Sequence, residues 1–423
     1  MSNTTRFQLS AMMFLNFFIW GGWFVTLGTF LANNLSATGA ESGQVFSTQS
    51  WGAIIAPFII GLIADRYFNA ERILGVLHLI GAALMYLMYK STNMASFYPL
   101  VLGYMIAYMP TLALVNSVSF RQMNNPEKEF GSIRVWGTIG WIVAGLLISY
   151  LFHWDSKEGV AGGALRNTFL MAGAASLLQG LLSFALPKTP PKKVAGESTN
   201  LRSILGLDAL ALLKDRNFLV FFLASVAICI PLAFYYQNAN PFLTNIGMEN
   251  PTGKMTIGQI SEVLFLLALP LFFGRFGFKN TILVGMLAWA LRYLLFAYGD
   301  AGNLSFMLLL GIALHGICYD FFFVSGQIYT DQKAGDRYKS AAQGLITLAT
   351  YGVGMLIGFA VAGAVTDAYK TGDASFDYRT IWTIPAAIAF VVFLAFLLLF
   401  KKESTVRNTA TVNKSLEATP AAS

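Results

Sequence analysis

The sequence predicts an all-α polytopic membrane protein, with twelve transmembrane helices in two six-helix bundles and both termini in the cytoplasm. Three observations indicate this fold class. Hydrophobic residues make up 56% of the 423-residue chain and charged residues only 12%, which is too apolar for an ordinary soluble domain. Apolar runs of about 20 residues, the length that crosses a bilayer, recur along the chain. One long polar stretch divides these runs into two sets of six.

The apolar runs give the predicted spans in chain order. Their approximate extents are 8–31, 46–64, 72–90, 97–120, 130–153, 165–187, 217–245, 255–274, 279–298, 303–327, 340–366 and 378–400. The predicted organisation is an N-terminal bundle over 1–187, a cytoplasmic linker over 188–216, a C-terminal bundle over 217–402 and a disordered cytoplasmic tail over 403–423.

The distribution of basic residues predicts the orientation. Most of the 28 lysines and arginines fall in the segments that are cytoplasmic when the N-terminus is inside, as the positive-inside rule requires. The net charge of +7 is therefore a topology signal, and no basic stripe with interleaved aromatics predicts nucleic-acid binding. Three scattered histidines and the cysteines Cys229 and Cys318, which lie inside apolar runs, do not form a catalytic or metal-binding constellation. An enzyme is not predicted.

An acidic side chain lies within the eighth apolar run, Ile257–Gly274. Glu262 at the centre of a spanning helix costs roughly 2.5 to 3.5 kcal/mol on insertion scales, so a function or a partner is expected. Gln259 lies three residues earlier and shares its helix face. That face is predicted to point into protein or water, where both side chains are candidates for substrate binding. Alternatively, Glu262 lies in the headgroup region at the start of the span.

A second intramembrane acid, Asp320, lies in the tenth run, where the sequence reads LHGICYDFFFVSG. His315 and Tyr319 are one helical turn apart and directly precede it. His315 and Tyr319 are candidate substrate-binding residues, although each is also compatible with a satisfied core residue. Asp320 is predicted to be functional, because its surroundings are otherwise apolar.

The fifth span begins with the sequence NNPEKEFGSIRVWGTIGW. Asn125 is predicted to cap the helix, with a proline at its first position. Arg134 then lies roughly 12 Å along the helix axis and moves toward the bilayer interior, although hydropathy alone makes it a cytoplasmic anchor. Arg134, Thr138 and Trp141 share one face and suit a planar polar ligand. The glycines of this span are alternatively explained by close helix packing.

Two further sets of polar residues lie within apolar runs. In the seventh span, Tyr236, Gln237 and Asn240 precede Pro241 and form either a cavity wall or an outer interfacial belt. Both alternatives stay open. Arg292 in the ninth span either extends outward toward Asp300 or pairs inside the C-terminal half. A structural role is favoured for Arg292.

Several segments carry a resemblance to a known family. The sequences PFIIG (57–61) and PLFFG (270–274) repeat between the halves, and a six-plus-six arrangement is the signature of the major facilitator superfamily. The turn GLIADRYFNAER (61–72), with Asp65 and Arg66, resembles the loop motif of that superfamily. The chain resembles the bacterial nucleoside:proton symporters over nearly its whole length. The matching segments include 132–145, 204–213, 257–280, 288–300 and 343–344, together with WGGWFVTLGTF and AYMPTLALVNSVSF.

The resemblance implies a proton-coupled nucleoside importer that works by alternating access around a central site between the bundles. The positions that match the family's binding residues are Arg134, Thr138, Trp141, Gln259, Glu262, Tyr319 and Asp320. Ala233 and Tyr236 stand where related permeases carry glutamine and asparagine, and His315 replaces a tyrosine. Tyr236, Gln237 and His315 complete the set of candidate substrate-binding residues. Asp320 is expected to be the principal proton carrier and Glu262 mainly a ligand-binding residue with a share in coupling.

The expected partners follow from the resemblance. They are a nucleoside, protons and the lipid bilayer, with no cofactor, in a monomer that crosses the inner membrane of a bacterium several times. One alternative is a proton symporter for sugars or other polyols, because amides, acids and aromatics also bind sugar hydroxyls. Another is a membrane sensor that does not transport.

Overall fold

The computed structural model describes residues 1–59, 68–191, 207–372 and 375–401. The turn motif around Asp65 and Arg66, most of the predicted linker and the predicted tail lie outside the described residues. No strand occurs in the described part, which contains one isolated β-bridge between Lys370 and Phe376. The all-α fold class is confirmed.

The helices are numbered here in chain order. They are α1 (Asn3–Gly21), α2 (Leu27–Asn34), α3 (Gly39–Ile59), α4 (Ala70–Lys90), α5 (Met94–Gln122), α6 (Pro126–Leu146), α7 (Lys157–Ala161), α8 (Asn167–Phe184), α9 (Arg216–Asn245), α10 (Pro251–Tyr298), α11 (Ser305–Ala313), α12 (His315–Tyr319), α13 (Ser325–Thr347), α14 (Met355–Ala368) and α15 (Tyr378–Leu399). Short 3₁₀ helices occupy Ala164–Arg166 and Leu207–Lys214, and π-helical turns occupy Leu147–Leu151, Asp320–Val324 and Leu348–Gly354.

Within the described residues, nine helical stretches are long and apolar enough to cross a membrane, against twelve predicted spans. The first two predicted spans fall outside this set, because α1 ends at Gly21 and α3 begins with polar residues such as Glu41. The predicted eighth and ninth spans both fall in α10. The number twelve and the cytoplasmic termini therefore stay predictions.

The length of α10 explains why it holds two predicted spans. Its 48 residues form two helices that are joined at a kink, and each of the two has at least the roughly 20 residues that cross the hydrocarbon core. Gly277 interrupts it with a non-helical backbone, φ 71° and ψ 174°. This conformation is open to glycine and strained for other residues. Gly277 thus lies between the two predicted spans.

The chain divides into two compact units. The first contains Met1–Ile204 together with Glu249–Gly253, and the second contains Leu205–Met248 together with Lys254–Ser423. In the first unit, Asp155 accepts hydrogen bonds from the Thr252 backbone N–H at 2.9 Å and from the Ser149 hydroxyl at 2.5 Å. Ser149 also accepts the Gly253 N–H at 2.7 Å. These bonds satisfy donors at the beginning of α10, which a helix cannot satisfy by itself.

In the first unit, α1 packs on α6, α3 on α5, and α4 on α8. The α1–α6 contact is close because of glycines. A Cβ atom at Gly140 would clash with the carbonyl oxygen of Phe14, and one at Gly21 would lie 2.8 Å from the Trp141 ring. The alternative reading of the fifth span's glycines, close helix packing, is therefore confirmed at Gly140.

Side chains satisfy backbone N–H groups at the beginning of some helices in the described residues. Asn125 is the N-cap residue of α6, with a proline in the first turn as predicted, but its side chain makes no capping bond. Glu129 reaches back instead and accepts the Asn124 and Asn125 N–H groups at 3.0 and 3.2 Å, as a capping-box acid does. Asp377 precedes α15 and accepts the Thr380 hydroxyl at 2.6 Å and its N–H at 3.2 Å. These bonds lower the pKa of Asp377.

In the second unit, α9 packs on α14 and α15. Gly354 and Gly358 permit the close contact between α9 and α14. Cβ atoms at these positions would lie 2.8 Å from the Cβ of Cys229 and 2.7 Å from that of Ala233, respectively. Cys229 and Cys318 are buried free cysteines, as their apolar context predicts.

Gly140→Ala is expected to destabilise the protein by about 1 to 3 kcal/mol, the usual result of overpacking. The added methyl group meets backbone, which cannot rotate away as a side chain can. The measurement is the free energy of unfolding of the purified protein in detergent.

Gly131→Ala in the same helix is the matched control, because a Cβ there meets no atom within 4 Å. It should raise stability by about 0.5 to 1 kcal/mol through the lower backbone entropy of the unfolded chain. Equal effects of the two substitutions would contradict the close α1–α6 contact.

Candidate functional site

The second unit brings four of the predicted residues together. Glu262 comes from α10, His315 and Tyr319 from α12, and Asp320 opens the π-helical turn after α12. All four side chains are buried, and Asp320 has no exposed surface. We call Glu262, His315, Tyr319 and Asp320 the acidic cluster. Gln259, one turn before Glu262, is half-buried.

A serine fixes the position of α10 relative to α12. The Ser261 hydroxyl donates to the Ala313 carbonyl at 2.5 Å and accepts the Gly316 N–H at 2.9 Å. Gly316 lets the helices approach, since a Cβ there would lie 2.5 Å from the Ser261 carbonyl carbon. Because Ser261 precedes Glu262 and Gly316 follows His315, this contact sets the spacing of the two functional side chains.

His315 lies at the centre of the acidic cluster. Its Nε2 is 3.7 Å from Glu262 Oε2, and its ring stacks on Tyr235 with centroids 5.6 Å apart. The centroid of the Tyr319 ring lies 5.9 Å from that of His315. His315 therefore contacts both a carboxylate and aromatic rings, which fits a satisfied core histidine as well as a binding residue, and its role stays a prediction.

Asp320 has no hydrogen-bond partner for either carboxylate oxygen among the described residues. Glu262 acts on it electrostatically. A buried polar group without a partner is costly and unusual in native proteins, so its retention calls for a functional explanation. Its place at the beginning of a π-helical turn agrees with this, since such turns are frequent at functional sites.

Sequence reasoning missed Tyr351. The Tyr351 hydroxyl lies 2.7 Å from that of Tyr319, and Tyr351 belongs to the π-helical turn Leu348–Gly354. Both tyrosines line a cavity of the second unit with Gln327, Gln343, Thr347 and Thr350. The sequence signal for Tyr351 is a lone tyrosine between glycine-rich apolar segments, and hydropathy does not distinguish such a tyrosine from a core residue.

Arg292 is the second residue whose surroundings the sequence did not reveal. It does not extend toward Asp300, whose carboxylate accepts the N–H groups of Gly302 and Leu304. Arg292 is fully buried, and its Nη1 lies 3.1 Å from His315 Nδ1. The alternative of a partner inside the C-terminal half is therefore confirmed.

In the seventh span, now α9, Gln237 and Asn240 are buried and Tyr236 is half-buried. Asn240 Nδ2 lies 3.7 Å from the sulfur of Met255. Tyr236 interacts electrostatically with Tyr351 and Glu262. These contacts favour the cavity-wall interpretation over the outer belt.

The first unit holds the remaining candidates on α6. Arg134 is 8% exposed, and its guanidinium carbon lies 4.2 Å from the Phe17 ring centroid. The Trp141 ring packs edge-on against the Trp20 ring, with centroids 5.5 Å apart. Thr138, which lies between Arg134 and Trp141 in the sequence, is half-buried. Arg134 is thus enclosed rather than a solvated anchor. Arg134, Thr138 and Trp141 belong to the first unit, whereas the acidic cluster belongs to the second.

Comparison with known proteins decides the family. Residues 3–405 match the protein family described as Nucleoside H+ symporter. The chain belongs to this family.

The individual relatives agree with the family. The chain is 42% identical over 406 residues to "Putative nucleoside transporter YegT" of Escherichia coli (strain K12), covering 94% of each protein. It is 35% identical over 409 residues to the xanthosine permease of the same organism, covering 93% of this chain and 95% of that one. The crystal structure of the nucleoside transporter NupG superposes with a TM-score of 0.85 at 31% identity, covering 95% of this chain and all of that one.

Membership in the nucleoside H+ symporter family confirms several predictions. The chain is a multi-pass membrane transporter rather than an enzyme, and nucleoside–proton symport is its function. The roles of the individual residues stay predictions.

Ser261→Ala is expected to destabilise the second unit by about 1 to 3 kcal/mol, because the Gly316 N–H then lies buried without an acceptor. The same change should lower nucleoside affinity, since the spacing of Glu262 and His315 depends on this contact. Unfolding in detergent and nucleoside binding are the two measurements.

Ser183→Ala is the control for a buried serine. The Ser183 hydroxyl donates to Gln179 O within its own helix in the first unit, and its loss leaves no N–H group unsatisfied. A Ser261→Ala protein with unchanged stability and affinity would contradict the role assigned to the hydroxyl.

Proposed function

We propose that the protein imports nucleosides with protons across the cytoplasmic membrane of a bacterium, with the acidic cluster as its coupling centre. The observation that carries this proposal is a pair of buried carboxylates: Glu262 lies beside His315 and acts electrostatically on Asp320. Alternating access would expose the cluster to one side of the membrane and then to the other. The proton motive force then drives accumulation in the cell.

Asp320 is the proposed proton carrier. Its carboxylate is fully enclosed and has no hydrogen-bond partner among the described residues. Taking up a proton removes a costly buried charge, and contact with water makes release of that proton favourable. A carboxyl group in such surroundings gains and loses its proton as its exposure to water changes.

Glu262 and Gln259 are the proposed ribose-binding residues. A carboxylate accepts hydrogen bonds and an amide both donates and accepts, which suits vicinal hydroxyls. Tyr319 and Tyr236 offer aromatic surface to the sugar or the base. Arg134 with Trp141 in the first unit suits the base, since a guanidinium donates in a planar fork to carbonyl oxygens and an indole offers a stacking face.

A sugar or polyol symporter would use similar residues for hydroxyl groups. Membership in the nucleoside H+ symporter family favours nucleosides. Competition of labelled uridine uptake by unlabelled nucleosides and by free sugars separates the two functions. The absence of a cofactor and the monomeric state stay predictions.

Asp320→Asn is expected to abolish nucleoside accumulation driven by a pH gradient in proteoliposomes. Asparagine has a similar shape but cannot carry a proton. Exchange of labelled for unlabelled nucleoside, which needs no net proton movement, should continue in this variant. Glu262→Gln should mainly weaken nucleoside binding.

Asp367→Asn, at an exposed position near the end of α14, is the control and should transport normally. Accumulation against a gradient by Asp320→Asn, together with its loss in Glu262→Gln, would reverse the two roles. Wild-type uptake that ignores the pH gradient would contradict proton coupling itself.

Arg134→Ala is expected to weaken nucleoside binding by about 1.5 to 3 kcal/mol, the range for a hydrogen bond to a charged group. Arg134→Lys should weaken it as well, because a point ammonium cannot reproduce a planar fork. Binding is measured by calorimetry on purified protein.

The control is Arg6→Ala, which removes an exposed arginine at the beginning of α1. Unchanged affinity in a folded Arg134→Ala protein rules out a contact between this guanidinium and the base.

A further inference from the structure

Arg292 is a fully buried cation in the C-terminal part of α10. Its guanidinium carbon lies 3.5 Å from the centroid of the Tyr235 ring, with Trp289 and Phe296 near 5.8 and 5.7 Å. Its Nη1 lies 3.1 Å from His315 Nδ1. A buried charge in a spanning segment is expensive, and these contacts are too specific for an anchor at the membrane surface.

The direction of the Arg292–His315 hydrogen bond follows from the chemistry of the two groups. A guanidinium has five N–H donors and no acceptor. His315 Nδ1 must therefore accept, which requires that its lone pair is free of a proton. The ring proton then lies on Nε2, so His315 is the neutral Nε2–H tautomer.

The Nε2–H group of this tautomer points toward Glu262, 3.7 Å from Oε2. That distance is longer than a hydrogen bond. A donor on His315 and an acceptor on Glu262 thus lie side by side in the acidic cluster. A hydroxyl group, which both accepts and donates, matches this pair: it accepts from Nε2–H and donates to the carboxylate.

We propose that Arg292 is a positioning residue that fixes the Nε2–H tautomer of His315, and that His315 and Glu262 together recognise one ribose hydroxyl of the nucleoside. The identity of the ligand rests on the proposed function, whereas the tautomer of His315 is independent of it. With Nδ1 occupied by Arg292, His315 always presents a donor to the ligand. The charge of Arg292 also opposes a second positive charge on the ring.

The charged and aromatic groups of this region come from three elements. Arg292 and Glu262 lie on α10, and Asp320 follows α12, which carries His315. Tyr235 on α9 covers the ring face. A protonated His315 would place two cations within hydrogen-bond distance of each other, so the neutral ring is the state that the geometry supports.

The first test is the tautomer itself, read by nitrogen NMR on protein labelled at histidine. The chain has three histidines, and His315→Gln identifies the signals of His315 by their loss. We expect Nδ1 unprotonated and Nε2 protonated in the wild type, and a mixture of tautomers in Arg292→Met. A wild-type Nδ1–H tautomer or a doubly protonated ring overturns the proposal, whatever the protein transports.

The second test is a double-mutant cycle on uridine uptake. Arg292→Met should raise KM about two- to tenfold. This is the effect of losing one hydrogen bond between neutral groups, here the bond from His315 Nε2–H to the ribose hydroxyl. In a His315→Gln background, where the amide donates independently of Arg292, the same change should have little effect. Arg292→Lys keeps a donor to Nδ1 and should restore much of the affinity. Additive effects of Arg292→Met and His315→Gln indicate a merely structural arginine and overturn the proposal.

The third test asks whether a hydroxyl is recognised. Wild-type protein should discriminate against 2′-deoxyuridine or 3′-deoxyuridine relative to uridine, and Arg292→Met should reduce that discrimination. Arg379→Met is the matched control, because this exposed arginine stacks on Tyr298 at 4.6 Å and lies on another helix. Equal uptake of all three nucleosides by the wild type overturns the hydroxyl assignment. Absence of any nucleoside uptake contradicts the proposed function and leaves the NMR result on the tautomer standing.

Discussion

A charge inside a hydrocarbon layer must find its partners within the protein, and this constraint accounts for the arrangement of the second unit. Arg292, Glu262 and Asp320 are all buried, and lipid offers none of them a hydrogen bond. Arg292 donates from Nη1 to His315 and lies against the face of Tyr235, while its Nε and Nη2 have no hydrogen-bond partner among the described residues. The cation–π contact matters here, because it is stronger in a site without water.

The acidic cluster depends on close helix contacts that only small residues permit. Gly258 faces the Cβ of His315, and Gly316 faces the backbone of Ser261. A side chain at Gly316 would push α12 away from α10 and separate His315 from Glu262. The polar contacts of the site therefore rest on apolar packing, in which backbone approach sets which side chains can meet.

Some of this architecture follows from the sequence and some does not. Hydropathy locates most of the long helices, and the cost of a buried charge identifies Glu262, Asp320 and Arg134 as unusual. Hydropathy does not give the partner of Arg292, because residue 292 meets residue 315 through tertiary packing. The N-cap position of Asn125 follows from the sequence, but the side-chain bond does not: Glu129 reaches back to the Asn124 and Asn125 N–H groups, while the Asn125 side chain makes no capping bond.

The π-helical turns show most clearly where sequence reasoning ends. A π turn is one residue wider than an α turn and shifts the faces that follow it. One begins at Asp320 and another contains Tyr351, and the hydroxyls of Tyr319 and Tyr351 meet between them. Reading the tenth and eleventh spans with an uninterrupted period of 3.6 residues places Tyr351 on no special face. The meeting of Tyr351 with Tyr319 depends on tertiary packing beside these turns, and Glu262 acts electrostatically on both tyrosines.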